Sequence, residues 1–467
     1  MRCVSRFRCR GLPGLAALLL AGAWIFATAA LAETLPDALV RVYQNNPQLN
    51  AQRAALRGTD ENVPQALSGY RPQVSIGLLS GINSVNNGLP DGTSQSALLR
   101  PWMAGATLTQ PLFNGFKTGN AVRQAESQVL SGREALRMVE QNVFVAAAIA
   151  YMSVVADQAL VEAQRANVTF LRETMTATKK SYDAGNVTPT DVAQSEARYN
   201  RGLSDLNAAE VALATSQATY RQIVGVPPGR LAPADPVDRL LPKTREEAVV
   251  LGRRENPAVV GAMHDVDTAQ AAIKIAEAAL YPTINAQGAV SRSVQTDTTL
   301  GTTRTDQASV VGNATLPLYD GGLAASQVRQ AKEGLAQSRL VLDQVRVQIE
   351  AALVIAWVTN EGAKTAIRAA EAEVRAATLA LDGVRRENQG GQRTTLDVLN
   401  AQQDLVGARG RLIAAQRDRV VASYTLAAAL GRLDHRRLEL NTPDYEARTH
   451  YHQVRDAWHG LRTPDGR

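Results

Sequence analysis

Hydrophobic and polar residues follow a helical spacing over most of the chain, but two regions have a strand-like alternation instead. Residues 74–78 and 284–290 alternate between apolar and smaller or polar side chains. A period of two is typical of β-strands. Each region precedes a stretch rich in Asn, Gly, Ser and Thr, at 83–96 and 291–307, which we expect to be a loop. The pattern therefore predicts two β-hairpins within a mainly helical chain.

Each hairpin is expected to return to the helical part of the chain through a short proline- and glycine-containing segment. The two strand regions are placed at 70–112 and 281–318. A proline suits the end of a strand because it has no N–H to donate. The residues at these two junctions are Pro111 and Gly115 in the first, and Pro317 and Gly321 in the second.

Long segments without proline predict helices of unusual length. The segments 114–181 and 320–387 would each form a helix on the order of 100 Å long. Shorter helices are predicted at 35–67, 189–224, 245–280 and 395–430. Two short helices placed end to end have about the length of one long helix, at about 1.5 Å per residue. We therefore expect each long helix to lie alongside a stacked pair of short ones.

The order helix, two strands, long helix, shorter helix occurs twice because the chain is internally duplicated. The segment 122–125 (Val-Arg-Gln-Ala) recurs at 328–331, and Gly225 recurs as Gly431, with a constant offset of 206 positions. A fixed period of this kind is the signature of a repeated structural unit. The repeats are placed at 33–225 and 245–431, a linker at 226–244, and a C-terminal tail at 432–467.

The first 32 residues have the features of a cleaved signal peptide. A basic segment over 2–10 precedes the apolar stretch 12–31, and Ala30-Leu31-Ala32 is a small-x-small cleavage site, so we expect the mature chain to begin at Glu33. A retained membrane anchor is the alternative. The leader contains four arginines, which lowers the net charge from +6 to about +2 on cleavage. A nearly neutral chain gives little support to a nucleic-acid partner.

Both cysteines, Cys3 and Cys9, lie in the leader. The mature chain is therefore expected to form no disulfide and no thiolate metal site. It also lacks the cysteine that acylation would need. The low aromatic content of 4%, with abundant alanine, favours long helices packed through small side chains over a large globular core.

The predicted strands require more than one copy of the chain. Each half supplies two strands, and four strands are too few to close a membrane barrel, which needs about eight or more. An open sheet would leave backbone groups unpaired at its edges. Other copies must then complete it. An ordinary soluble β-domain inserted between helices, or a long-helix scaffold without a pore, remain alternatives.

Four segments of the chain resemble those of TolC-family outer-membrane factors. They are Asn45-Asn46-Pro47-Gln48-Leu49, Gln110-Pro111-Leu112-Phe113-Asn114-Gly115, Leu316-Pro317-Leu318-Tyr319-Asp320-Gly321-Gly322 and Gly391-Gln392-Arg393-Thr394-Thr395-Leu396-Asp397-Val398. The resemblance covers about 33–431. It implies a mainly α, internally duplicated fold that assembles as a homotrimer with a twelve-stranded membrane β-barrel. This barrel would continue into a long periplasmic α-helical barrel. The linker would form an equatorial region at mid-height, and the tail would be part of that region or disordered.

Two tight turns connect the long helices to the shorter helices that follow them. Gly185 and Gly391 fit the position after a helix end, where glycine adopts a positive φ at little cost. A threonine N-cap and an aspartate three positions later then predict a capping box after each turn. These pairs are Thr188 with Asp191 and Thr394 with Asp397.

The resemblance implies that the turns form a constricted periplasmic entrance. Asp397 matches an acidic residue that would form an anionic ring around the axis, which would bind cations. Asn400 stands at a second ring position that is acidic in the best-known member, so we expect a weaker cation block. The implied latch residues are Arg393, Thr190, Asp191 and Asn388. A tyrosine of the family's latch is replaced by Asn388, which puts that half of the latch in doubt.

The chain contains no nucleotide-binding glycine loop, nucleophile elbow or metal-ligand spacing, so neither an enzyme nor a cofactor is predicted. Export would then be driven by an inner-membrane ABC or proton-driven transporter through a periplasmic adaptor. The adaptor would dock on the tip turns, at Gly185, Thr188, Gly391 and Thr394. Both type I protein secretion and small-molecule efflux fit, and the missing acylation cysteine favours secretion. A non-conducting envelope scaffold or surface receptor is the alternative function.

The C-terminal tail carries four of the five histidines, including His450 and His452. Their spacing suits a metal site, but a mobile tail at a subunit surface is the simpler expectation.

Overall fold

The computed structural model describes residues 32–88, 90, 92–297 and 301–466. The predicted signal peptide, except its last residue, lies outside the described residues. The helices are α1 Leu35–Asn45, α2 Pro47–Asp60, α3 Asn62–Leu67, α4 Lys117–Asp183, α5 Pro189–Val224, α6 Arg245–Glu255, α7 Pro257–Glu277, α8 Leu323–Gln389, α9 Thr395–Ala429 and α10 Ala447–Val454. The strands are β1 Gln73–Ser80, β2 Asn83–Gly88, β3 Ser94–Asn114, β4 Thr283–Asp297 and β5 Gly301–Thr315.

The long helices α4 and α8 each contain 67 residues. They begin three residues later than predicted, because the turn after each return strand occupies the intervening positions. Helix α4 packs against α5, α7, α9 and α2, while α8 packs against α9, α7 and α6. Helix α4 also contains a stretch that is long and apolar enough to cross a membrane, but half of that stretch is buried inside the protein. The buried half of this stretch packs within the protein.

The helix that opens each half is not continuous, contrary to the prediction. Asn46 and Asn256 end α1 and α6, and their side-chain oxygens accept hydrogen bonds from the first backbone N–H groups of α2 and α7. The prolines that follow occupy the first helical positions, where no N–H is needed. Each asparagine amide also donates to a carbonyl at the end of a distant helix, Ile223 at 3.0 Å and Ala429 at 2.8 Å. One asparagine in each half therefore joins three helix ends.

The strands form one antiparallel sheet in the order β1-β3-β4-β5, and β2 also pairs with β3. The first half therefore has three strands where two were predicted. Both β1 and β2 pair with the single long strand β3, so they are one hairpin arm interrupted at 81–82. The predicted loops at 83–96 and 291–307 are largely strand, since pairing continues to Gly88 and to Asp297.

The two hairpins have the same register. Gln73 lies opposite Thr109 in the first, and Thr283 lies opposite Thr315 in the second. The return strands are related by the offset of 206, and the outgoing strands by an offset of 210. The same offset of 210 relates Asn46 to Asn256. The repeat is therefore reproduced in the hydrogen bonding of the strands as well as in the sequence.

One face of the sheet is apolar and the other is mainly polar over its lower part. Paired residues share a face and alternate along each strand. The apolar face has the rows Val74-Leu108-Gly288-Val310 and Ile76-Ala106-Val290-Ala308, whereas the opposite face has Ser75-Thr107-Ala289-Ser309. Val74 is 71% exposed and Val310 is 87% exposed. Exposed apolar rows on a single face are typical of a sheet that contacts lipid.

The linker between the repeats folds against the middle of α4. The Tyr151 hydroxyl lies 2.7 Å from the carbonyl oxygens of Glu33 and Ala232, and a short bridge joins Glu33 to Leu231. On the other side of the linker, Asp238 forms an ion pair with the buried Arg419 of α9. The linker therefore contacts α4 and α9, near the middle of α4.

The C-terminal segment is folded, so the expectation of a mobile tail is wrong for this part of the chain. Leu433 is buried in the main core, and α10 packs on α2. The His450 Nδ1 atom lies 3.0 Å from a carboxylate oxygen of Asp60, and both side chains are buried. The exposed His452 contacts the ring of Tyr451. The two histidines thus have separate environments.

His435, at the start of this segment, contacts a carboxylate of α4 and a carboxylate of the segment itself. Burial would lower the pKa of His435, but hydrogen bonds to Glu140 of α4 and to Asp444 outweigh burial and raise that pKa above its ordinary value. Its ring also stacks on Tyr43 of α1. A raised folded-state pKa stabilises the fold below the unfolded pKa of about 6.5, and this stabilisation is lost as the pH rises through the folded value.

We therefore expect 432–454 to become more accessible to protease and hydrogen exchange between pH 6 and pH 9. His435→Gln should be accessible at both values and lose this pH dependence. His452→Gln, at an exposed position, should keep it. An unchanged pH dependence in His435→Gln would contradict the assignment to His435.

Candidate functional site

The two tip turns have the same backbone geometry. Gly185 and Gly391 have φ values of +77° and +75°. In the second turn, the N–H of Gly391 donates to the carbonyl of Asn388 at 3.0 Å, and the N–H of Gln392 donates to that of Glu387 at 2.9 Å. The first turn has the equivalent pair of bonds. These bonds satisfy carbonyls that a helix end would otherwise leave free.

The predicted capping boxes are present after both turns. The Thr394 N–H donates to a carboxylate oxygen of Asp397 at 3.0 Å, and the Asp397 N–H donates to the Thr394 hydroxyl at 3.2 Å. Thr188 and Asp191 form the same box. Hydrogen bonds from the backbone and hydroxyl of Thr394 lower the pKa of Asp397, and Arg393 adds to this effect. The carboxylate is therefore charged at neutral pH while it caps α9.

The predicted latch residues lie on the two tips, but their contacts within the chain are local. Arg393 pairs with Glu387 at 3.0 Å, in the same turn. The Asn388 amide donates to the carbonyl of Arg393 at 2.8 Å. Thr190 is exposed on the first turn of α5. The polar residues of the second turn are thus held in place by one another.

The two tips are joined by an arginine that sequence reasoning did not identify. The guanidinium of Arg198, on α5, donates to the Asn400 amide oxygen at 3.0 Å and also to Gln403. Beside it, Gln402 donates to Asn167 of α4 at 3.1 Å, and this bond is buried. Asn400 thereby connects the second tip to the first. No sequence signal pairs Arg198 with Asn400, because the contact depends on how α5 and α9 pack.

The junctions between sheet and helices differ between the halves. Gly115 has a φ of +64°, and a Cβ atom there would lie 2.6 Å from the Ala278 carbonyl oxygen and 2.8 Å from the Cβ of Tyr281. Gly321 has a φ of +72° with nothing within 4 Å. Strand β3 continues past Pro111 with a register shift before Phe113. Strand β5 ends before Pro317, as the sequence predicts.

The described residues include no group of three or more His, Asp or Glu side chains placed to hold a metal ion. The structure provides a sheet with one apolar face, two long helices that extend from it, and two polar tips at the far end.

The sequence model of a family described as "Outer membrane efflux protein" matches residues 38–226 and 250–432, one segment in each repeat. The chain is 40% identical to the outer membrane efflux protein BepC of Brucella suis biovar 1, over 97% of both chains. It is 28% identical to the alkaline protease secretion protein AprF of Pseudomonas aeruginosa, over 72% of this chain and 70% of that protein. The fold matches the crystal structure of the outer membrane protein VceC from Vibrio cholerae with a TM-score of 0.71 at 19% identity, covering 85% of this chain and 96% of that one.

The fold and the alternating sheet define a channel-forming protein of the bacterial outer membrane that extends into the periplasm. The chain belongs to the outer membrane efflux protein family, and it is also 26% identical to the outer membrane protein TolC of Vibrio cholerae over 87% of this chain and 92% of that protein. It serves as an outer-membrane channel for export, and the family is one of transport proteins.

Proposed function

We propose that three copies of the chain form the export duct and that its substrates are small molecules. The observation that carries the proposal is the sheet: its lower apolar rows lie on one face, and both of its edge strands have a free side within the described residues. Four strands are too few to close a barrel, whereas three copies would supply about twelve. The long helices below each sheet would then surround a continuous channel.

The tip turns are the surface that a periplasmic adaptor would contact, with an inner-membrane ABC or proton-driven transporter supplying energy. Gly185, Thr188, Gly391 and Thr394 lie at the far ends of the long helices, where they are exposed to solvent. The main chain at each turn is fixed by its own hydrogen bonds. A rigid, exposed turn suits docking because little order is lost on binding.

The missing acylation cysteine favoured secretion, but we place small-molecule efflux first because the relative that is 40% identical over 97% of both chains is an outer membrane efflux protein. Protein secretion is the second candidate, since AprF is named for protease secretion. A deletion strain separates the two. Efflux predicts lower inhibitory concentrations of several drugs, restored by the intact gene, while secretion predicts loss of a specific extracellular protein with unchanged drug resistance.

Asp397 is proposed to form the anionic ring at the entrance. Three copies of a carboxylate facing one axis would bind a divalent or larger cation and impede current. Asn400 is neutral and held by Arg198, so it adds no negative charge to the ring. Asp397 can belong both to the helix cap and to the ring, because its carboxylate remains charged while it accepts two hydrogen bonds from Thr394.

Asp397→Asn should lower cation affinity at the entrance about tenfold or more, measured as block of single-channel current in a planar bilayer. Thr394→Ala is the matched control: it removes the helix cap, at a cost of about 1 kcal/mol, but leaves the charge. It should retain block at neutral pH. In the wild type, cation block should persist as the pH falls, because the pKa of Asp397 is lowered. Block should be lost only at a pH below the one at which an ordinary aspartate becomes protonated. Equal loss of block in both variants would assign the effect to the cap.

A further inference from the structure

A cavity of about 410 Å³ lies where the C-terminal segment, residues 432–454, packs on the helices of the first repeat. Its walls come from α1, α2, α4 and that segment, and it shares no residue with the sheet or the tip turns. The volume is within the range of small-molecule binding sites, roughly 300–1,000 Å³. The cavity is lined by six arginines: Arg53, Arg133, Arg137, Arg436, Arg437 and Arg448.

The positive charge of this cavity is only partly compensated. Each of its four acidic residues already pairs with a basic neighbour. These pairs are Glu134–Arg137, Glu140–His435, Asp434–Arg437 and Glu446–Arg436. Among the described residues, Arg53 of α2, Arg133 of α4 and Arg448 of α10 form no ion pair. Arg133 acts on Asp60 at longer range, but that carboxylate is hydrogen-bonded to His450. Enclosed like charges repel, so an anion between them would be attracted to the cavity.

Arg53 has an unused edge of its guanidinium. Its side chain is buried at 9% exposure, and its guanidinium carbon lies 4.4 Å from the centroid of the Tyr43 ring and 5.0 Å from that of the Tyr445 ring. Nη1 donates to the Asn50 amide oxygen at 2.9 Å. Nε and Nη2 are buried and have no hydrogen-bond partner among the described residues. These two nitrogens form the edge of a guanidinium that can bind two oxygens of one carboxylate or phosphate group.

Buried donors without a partner are concentrated at this cavity. Nε of Arg133 and Nη1 of Arg437 are also buried and lack a partner in the described part of the chain. A buried N–H group that makes no hydrogen bond destabilises a fold, so each such group needs an explanation. A bound oxyanion would accept hydrogen bonds from these donors and balance their charge.

We propose that this cavity binds a phosphate group, either as free phosphate or as part of a small phosphate ester, with the Nε–Nη2 edge of Arg53 donating to two of its oxygens. Three guanidinium groups without an ion pair match the nearly two negative charges of a phosphate better than the single charge of a carboxylate. Arg133 and Arg448 supply the further positive charge. The site does not depend on the proposed oligomeric duct, since all of these residues belong to one chain.

Binding would fasten the C-terminal segment to the helices. Tyr445 and Arg448 belong to that segment, whereas Arg53 and Arg133 belong to α2 and α4. A ligand that binds only the docked arrangement stabilises it increasingly as the ligand concentration rises. Phosphate should therefore slow hydrogen exchange of residues 432–454.

Calorimetric titration of the purified protein in detergent, at one pH and constant ionic strength, measures the binding of inorganic phosphate and of glycerol phosphate. Acetate and chloride are the comparison anions. We expect both phosphates to bind and to slow hydrogen exchange of 432–454, with acetate about tenfold weaker or more. Binding of glycerol phosphate alone would support the site and identify an organic phosphate as its ligand. No binding of either phosphate, or equal effects of all four anions, would overturn the proposal.

Two variants assign the binding to this cavity. Arg53→Lys keeps the positive charge but loses the two-nitrogen edge, so it should weaken phosphate binding about tenfold or more. Arg448→Gln removes a charge at an exposed position of the cavity wall and should weaken binding about threefold or more. If Arg53→Lys failed to fold, Arg448→Gln would still decide the question, because its exposed side chain does not support the core.

Arg455→Gln is the matched control. It removes the same charge from an exposed position just after α10, outside the cavity. It should bind phosphate as tightly as the wild type. Equal weakening by Arg448→Gln and Arg455→Gln would assign the binding to net charge and overturn the site. Wild-type affinity in both Arg53→Lys and Arg448→Gln would also overturn it.

Discussion

Gly431→Ala is expected to destabilise the folded chain by about 2–5 kcal/mol, combining left-handed backbone strain with overpacking. Gly431 follows the end of α9 with a φ of +77°. A Cβ atom there would collide with the backbone carbonyl of Glu255 and lie 2.9 Å from the Cα of Asn256. These neighbours are backbone atoms at the boundary of α6 and α7, so the side chain cannot be accommodated by a rotamer change.

Gly225→Ala is the matched control for this prediction. Gly225 stands at the equivalent position of the first repeat, with a φ of +90° and nothing within 4 Å of the added Cβ. It should cost only the backbone strain, roughly 1–2 kcal/mol. Thermal unfolding of the detergent-solubilised variants, followed by circular dichroism, measures both. Equal shifts in the two midpoints would show that Gly431 has no close backbone neighbour.

Asn256→Ala is expected to cost about 2–4 kcal/mol, because it removes a helix cap and a partly buried hydrogen bond together. The Asn256 side chain is 6% exposed, and it joins the first turn of α7 to the Ala429 carbonyl at the end of α9. The same geometry in the first half predicts a similar loss for Asn46→Ala.

Two further variants separate the cap from the tie between helices. Asn256→Ser keeps a capping oxygen and loses the amide donor, so it should recover roughly half of the loss. Thr244→Ala removes the exposed cap of α6 alone and should cost about 1 kcal/mol. If Asn256→Ala lowered the unfolding midpoint no more than Thr244→Ala does, the hydrogen bond from Asn256 to the Ala429 carbonyl would contribute no stability.

The architecture could be predicted from sequence because the duplication is visible at every level. The offset of 206 aligns the return strands, the long helices, the tip turns and the helices that follow them without an insertion, and the absence of proline over 114–181 and 320–387 predicts the two long helices. The capping boxes were also predictable, since they depend on residues three positions apart. Local chemistry and repetition together place most of the elements.

The strand segments within the predicted loops were not predicted. A polar composition indicates exposure to solvent, but it does not show whether the backbone is hydrogen-bonded to a neighbouring strand. Apart from Val85, residues 83–88 and 301–307 are polar or glycine, yet they continue the ladders. The folding of the tail was also missed. His450 is held by Asp60, and His435 by Glu140, and neither pairing leaves a mark on local periodicity. Arg198 at the candidate entrance was missed for the same reason.

The most direct test of the export duct is the single-channel conductance of the purified protein, with its oligomeric mass determined in the same detergent sample. An export duct of three copies predicts a mass of three chains and discrete conductance steps in a planar bilayer. A monomer or dimer without conductance would contradict it, and the long-helix framework would then be a scaffold without a channel.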